Sequence, residues 1–226
     1  QPISMAEAFQ GSFNVVHSVK PKQTQDRIHN AIPPMASLSA DDRVMGITPQ
    51  VGANVFYLAG SIQMNGKVNG INPIEEARLF NFANYITKGS PEALMETSNG
   101  ILLGAGVAKK MSVTVGNRVQ LSTPNGDVFP LKIVGIFQSG LADLDNVQSY
   151  VNLKTAQQLI GEGGDFISDV NIKLWDIEKA PAMSAEISQR FHLVFSKKLS
   201  QGEVTLNFKL QFWHIFAFYC VSCIES

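Results

Sequence analysis

Asp143 and Asp145, one residue apart, raise two kinds of chemistry. Paired carboxylates can cleave a glycosidic bond, but the acid and its partner come from opposite sides of a cleft. Carboxylates can also hold calcium, but that ion takes about six or more oxygens, and Asn146 alone adds little. Acids at i and i+2 read more simply as a polar loop. The run Gly100-x-x-x-Gly104-x-Gly106 invites a phosphate-loop reading. It lacks the Gly-Lys-Ser/Thr ending that grips phosphate and magnesium, and the spacing of the dinucleotide fingerprint. His17, His29, His192 and His214 are scattered, with no ligand pair at zinc spacing. There is no Gly-x-Ser-x-Gly elbow to expose a nucleophile. Cys220-Val-Ser-Cys223 has redox spacing, but it lies in an apolar run a few residues from the end of the sequence and not at a strand-to-helix junction. The expectation is therefore no catalytic residue, no cofactor and no metal.

The elements around these residues are far better marked. Ser12 to Val19 has the β-branched texture of a strand. Ile28, Ile32 and Met35 are spaced for a short helix over Gln23 to Met35, which Pro33-Pro34 would end. Arg43 to Val51 and Val55 to Met64 read as two strands parted by Pro49 and Gly52, and Asn65-Gly66 as a hairpin turn. Asn72-Pro73-Ile74-Glu75-Glu76 is a strong helix start: a capping side chain, a proline in the first turn, and acids that complement the dipole. Ala77, Phe80, Ala83 and Ile86 would be its buried face, and Lys88-Gly89 its end.

Gly104 to Met111 reads as a short helix with a turn at Gly116. Asn117 to Thr123 and Val128 to Phe137 would pair across Asn125-Gly126. Gln148 to Leu153 reads as a strand, Lys154 to Ile160 as a helix, and Gly161 to Gly164 as a corner. Phe166 to Leu174 is a further strand and Glu178 to Phe191 a further helix. Beyond Phe191 the chain turns aromatic and its period signals fade.

Composition limits the classes. At 226 residues, 45% hydrophobic and 16% charged, the chain can bury a core. A formal net charge of −1 does not supply the basic face that nucleic acid needs. Lys109-Lys110 and Lys197-Lys198 read as solvated faces. QPISMAEAFQ has neither the basic nor the apolar region of a signal peptide. Phe212 to Ile224 falls short of the roughly 18 to 20 apolar residues that span a bilayer. Opening on Gln1, the sequence reads as part of a longer frame, and any membrane spans of the parent protein would lie outside it.

An ordered series of motifs then carries a resemblance. It runs Ile47-Thr48-Pro49, Gly70-Ile71-Asn72-Pro73 with Glu75-Glu76, Leu102-Leu103-Gly104, Ala108-Lys109-Lys110-Met111 and Val115-Gly116-Asn117. Lys132-Ile133-Val134-Gly135-Ile136-Phe137, Ser139-Gly140, Tyr150-Val151-Asn152-Leu153 and Ala156-Gln157-Gln158-Leu159 complete it. From about residue 12 to 190 the chain resembles the periplasmic core domain of the macrolide-exporter and lipoprotein-release family of ABC transporter permeases. Asn117 stands where that family usually has Asp, and after about residue 190 the tail departs from its pattern.

The resemblance implies an α+β fold: a βαβ-type subdomain, residues 1–97 and 137–190, with a small mostly-β subdomain, 98–136, inserted, and 191–226 as a tail. It implies a non-enzymatic extracytoplasmic part of an inner-membrane permease that couples ATP-driven helix motion to events outside the membrane. The implied partners are an ATPase subunit, the transporter's own membrane helices, a second permease copy, and a periplasmic or lipoprotein partner; nucleic acid is not among them. Gly104, Gly116, Gly135 and Gly140 would set the architecture. The polar, glycine-hinged loop of Ser139, Asp143, Asp145 and Asn146 is the candidate partner surface. Two other readings stay open: a secreted β-rich ligand-binding module, and a hydrolase using the acidic loop.

Overall fold

Pro33 and Pro34 decide where the chain first becomes helical. A fixed φ and a missing N–H are both tolerated in a first turn. They therefore open helix α1, Ile32–Ser39, where the sequence pattern had them close one. The structure, a computed structural model, describes Ile28 and residues 31–190. The expected strand over Ser12 to Val19, the four histidines, the Cys220/Cys223 pair and the aromatic tail lie outside those residues.

Strand β1, Val44–Ala59, is continuous through Pro49 and Gly52, so the two expected strands are one. What changes there is the partner. Val44 to Gln50 pair antiparallel with β8, Asp169–Leu174, and from Val51 onward the strand pairs with β2, Ile62–Ile71. The reversal between β1 and β2 falls at Gly60, with φ of 59°, and not at Asn65-Gly66. Asn65 and Gly66 sit within the ladder, opposite Phe56 and Val55. Gly66 is glycine because a Cβ there would overlap the ring of Tyr57. The local turn signal was really a packing signal.

Helix α2, Pro73–Phe80, starts as the sequence indicates: Asn72 Oδ1 accepts from the N–H groups of Ile74 and Glu75 at 3.2 and 3.4 Å. It stops at Asn81, which takes the left-handed conformation, rather than running on to Lys88-Gly89. Its buried face is Pro73, Glu76 and Leu79, not Ala77, Phe80, Ala83 and Ile86. The early stop frees Phe82 to stack edge-on against Tyr150, 4.8 Å between centroids, and Ile86 to start strand β3, Ile86–Lys88.

The chain continues through α3, Pro91–Glu96, β4, Gly100–Gly104, and α4, Ala105–Lys110. Then come β5, Arg118–Ser122, β6, Val128–Phe137, α5, Ala142–Asp145, and β7, Gln148–Asn152. Helix α6, Leu153–Ile160, precedes β8, and α7, Ala180–Arg190, closes the described chain. The β5–β6 turn falls at Asn125-Gly126 as expected.

The strands make an eight-stranded sheet in the order β2-β7-β4-β6-β5-β1-β8, with β3 beside β6. Because β1 also pairs with β2, the strands β1-β2-β7-β4-β6-β5 close on themselves as a ring. Two of its pairings, β2–β7 and β4–β6, are parallel, so the fold is α+β. Residues 98–136 supply β4, β5 and most of β6, which share this ring with β1, β2 and β7. The ring encloses one core: Val51, Ala53, Val55 and Tyr57 from β1 alternate inward to meet Val68, Ile101, Leu103, Leu121, Ile133 and Val151. A second core, with Leu102, Phe137 and Tyr150, lies with Ile71, Phe82 and Leu94. A third joins α1 and α7 to the β1–β8 sheet through Leu38, Val44, Ile172, Met183 and Ile187.

Candidate partner-facing loop

The loop between β6 and β7 is organised from inside by one carboxylate. Asp145 is 7% exposed. Its Oδ1 accepts from the Ser139 N–H and hydroxyl, both at 2.7 Å, and its Oδ2 from the Gly140 N–H at 3.3 Å. The Ser139 Oγ accepts in turn from the Leu141 N–H at 3.1 Å. The chain can fold back this tightly because Gly140 has φ of 85°. Leu141 O then takes the N–H groups of Leu144 and Asp145, starting the single turn of α5.

The sequence grouped Ser139, Asp143, Asp145 and Asn146 as one surface. The structure brings Ser139 and Asp145 together and turns Asp143 out to solvent, with Asn146 half-buried. The two carboxylates therefore have different work: Asp145 braces the loop, and Asp143 is presented. Alongside Asp143 the loop exposes Leu141 and Val147. No pair of converging acids of the glycosidase type exists here, since both Asp145 oxygens are occupied by the loop's own donors.

Of the signature glycines, Gly140 lies in this loop and Gly104 packs against it. Gly104 caps α4, and a Cβ on it would overlap the Asp145 carbonyl. On β6, Gly135 backs onto Lys88, whose carbonyl lies 2.5 Å from where a Cβ would stand. Gly116, with φ of 91°, turns the chain into β5. Gly104 and Gly135 are thus packing positions, and Gly116 and Gly140 turn positions. Among the described residues no cluster of His, Cys, Asp and Glu could hold a metal, and no helix is long and apolar enough to cross a membrane.

Sequence reasoning missed a buried polar group beside β8. Glu76, 5% exposed, accepts from the Thr48 hydroxyl at 2.8 Å and the Asn171 side-chain amide at 3.4 Å. The Asn171 amide also reaches Gln50 Oε1 at 3.3 Å. In the sequence Glu76 was indistinguishable from Glu75, which sits one position round the helix and pairs with Arg78 in solvent. Only the helix phase, set by where α2 ends, separates the two.

Known proteins share this architecture. The periplasmic region of MacB from Actinobacillus actinomycetemcomitans superposes with a TM-score of 0.52 at 14% identity, over 76% of each chain, which speaks to the fold alone. The lipoprotein-releasing system transmembrane protein LolC of Neisseria meningitidis is 27% identical over 154 residues, 64% of this chain and 37% of that protein. The corresponding protein LolE of Haemophilus influenzae is 26% identical over 165 residues, 69% of this chain and 39% of its own. The chain thus spans less than half the length of these curated relatives. The model of the MacB-like periplasmic core domain matches residues 4–190. That match covers the closed ring, the bracing loop and every described helix, and by it the chain belongs to the MacB-like periplasmic core domain family.

Proposed function

We propose that this domain is the extracytoplasmic part of an ABC transporter permease of the lipoprotein-release or efflux type. In it, a rigid β-ring carries motion from membrane helices to a partner outside the membrane. The observation that supports it most is the family match over residues 4–190, joined to relatives named as transmembrane proteins of a lipoprotein-releasing system. The build suits such a role. A ring whose ends are closed by hydrogen bonds moves as a body, because close-packed interiors shift between discrete arrangements rather than deform. An ATPase and a second permease copy would complete the machine.

The partner surface in this reading is the outer side of the Ser139–Asn146 loop, with Leu141, Asp143 and Val147 presented on a backbone fixed by Asp145. Rigid presentation lowers the ordering cost of docking. Removing residues 31–190 from the intact transporter, with the flanking chain retained, should leave membrane insertion and basal ATP hydrolysis in place and abolish transport. Continued transport without the domain would refute the coupling role. A reporter enzyme active only outside the cytoplasm, fused after residue 190 of the intact protein, checks the location separately.

A further inference from the structure

We infer that Trp175 and Ile177 form a contact point for the lipid surface, holding one end of the domain against the membrane. The inference rests on the proposed placement beside a membrane.

Trp175 is 68% exposed, the most exposed large apolar side chain among the described residues, and Ile177 two positions on is 47% exposed. An indole left in water on a held strand end is unusual, and the backbone here is held. The backbone N–H of Trp175 donates to the Arg43 carbonyl at 3.1 Å, continuing the β1–β8 ladder by one residue. The next residue, Asp176, fixes the turn that follows: its Oδ1 accepts from the Glu178 N–H at 3.0 Å, and its other oxygen lies 3.7 Å from Lys179 Nζ. The two apolar side chains therefore flank a corner whose backbone is held, and stand out from it into solvent.

The position of the chain's exit says what covers them. Arg43, whose carbonyl receives the Trp175 N–H, pairs with Glu186 of α7 at 2.8 Å. Arg190, the last described residue, acts electrostatically on Asp41. The end of α7, the start of β1 and Trp175 thus share one end of the domain. The family match also ends at residue 190, and the LolC relative named a transmembrane protein is matched over only 37% of its own length. The end of the domain where the matched part stops is the end that carries the exposed indole. Tryptophan favours the headgroup region, where its ring is half in hydrocarbon and its N–H meets water. Around it stand Arg43, Lys179 and Arg190 together with Asp41, Asp42, Asp176, Glu178 and Glu186. With three positive and five negative charges, that mixed and mildly acidic set suits a zwitterionic headgroup layer better than a strongly anionic one.

The test uses the 226-residue chain carrying Trp213→Phe, so that Trp175 is the only indole. A C-terminal hexahistidine tag tethers it to vesicles of phosphatidylethanolamine and phosphatidylcholine doped with a nickel-chelating lipid. Tethering supplies the local concentration that the membrane-anchored protein would have. The Trp175 emission should shift to the blue and be quenched by dibrominated phosphatidylcholine. In Ile177→Ser, the equilibrium between lipid-contacting and free Trp175 on the tethered protein, read from the blue shift, should move about tenfold toward the free state, the worth of one buried aliphatic side chain. An unshifted and unquenched Trp175 on tethered, folded protein overturns the inference. So does a blue shift that appears without vesicles and grows with protein concentration, which would assign the patch to a second copy of the chain. Both readings leave the reporter-fusion result untouched, so failure here is separable from failure of the transporter reading.

Discussion

The Tyr57 hydroxyl lies 2.6 Å from Ser149 Oγ, joining β1 to β7 across the strand between them. Tyr57 has no exposed surface, and its oxygen is also 3.3 Å from the carbonyls of Lys67 and Val147. One side chain thus ties β1, β2 and β7 where the ring closes, and Gly66 is the gap through which its ring passes. In Tyr57→Phe the packing stays but the Ser149 hydroxyl loses its partner, and stability should fall by about 1–2 kcal/mol in urea titration.

The same burial sets the alkaline limb. Desolvation pushes the Tyr57 phenol far above its usual value of 10 and outweighs the lowering effect of its bond to Ser149. Burial does the same to Tyr150, helped by the negative charges of Glu76 and Asp145. Both groups therefore fold in the neutral form. Their stabilisation is complete below the unfolded value near 10 and is lost as pH rises above it. The urea midpoint should fall from pH 9 to 11, and Tyr150→Phe should flatten that slope. A slope unchanged by removing either phenol would assign the alkaline loss to other groups.

At the acid end the working pair is Asp41 and Arg43. Side-chain and backbone hydrogen bonds from Arg43 hold the Asp41 carboxyl at about 2, below its ordinary 3.8. A depressed carboxylate stabilises the fold above its unfolded pKa, and that contribution disappears as pH drops through the folded value. The melting temperature should therefore decline between pH 4 and 2, and Asp41→Asn should decline less over that interval. Since Arg43 also binds Glu186 on α7, Arg43→Met should loosen α7 as well, visible as faster amide exchange over Ala180–Arg190.

Asp143 and Asp145 should separate cleanly by experiment. Asp145→Ala removes the acceptor of three hydrogen bonds inside the loop, and should cost about 2–3 kcal/mol. Asp143→Ala should leave stability within about 0.5 kcal/mol, since that side chain faces solvent. If the loop meets a partner, Asp143→Ala combined with Leu141→Ser lowers transport without moving the melting temperature. Transport at the original level in a folded double variant would remove this loop from the partner surface.

What the sequence showed and what it hid divide along a physical line. Asn72, Pro73, Gly126 and Gly161 act on their immediate neighbours, and the start of α2, α6 and the β5–β6 hairpin follow from such local chemistry. Motif order pointed to the family because it reports the whole chain, not any one residue. The closure of the ring did not show, since β1–β5 pairing joins residues such as Phe56 and Ser122 that no local pattern connects. Pro49 misled because proline was judged as an interruption, while in the fold it pairs with Val170 just before β1 changes partner. At the candidate loop, the acid pair was visible but the division of labour was not: which aspartate faces inward depends on Gly104 and Gly106 pressing α4 against the loop.

Gly66 and Gly126 offer the sharpest contrast between a packing glycine and a turn glycine. Both follow asparagine, and in the sequence both signal a tight turn. Gly126 has φ of 94° with nothing within 4 Å of a Cβ, so Gly126→Ala meets only backbone strain, about 1–2 kcal/mol. At Gly66 the conformation is an ordinary strand, but a methyl group would enter the Tyr57 ring and press that ring off the Ser149 hydroxyl. Overpacking in a closed ring has little room to relax, so Gly66→Ala should cost about 3 kcal/mol or more. Adding Tyr57→Leu to Gly66→Ala should recover part of that loss, because the smaller side chain clears the space. Gly126→Ala should show no such rescue. Equal losses at the two glycines, or no rescue at Gly66, would mean that the ring of Tyr57 does not occupy the gap.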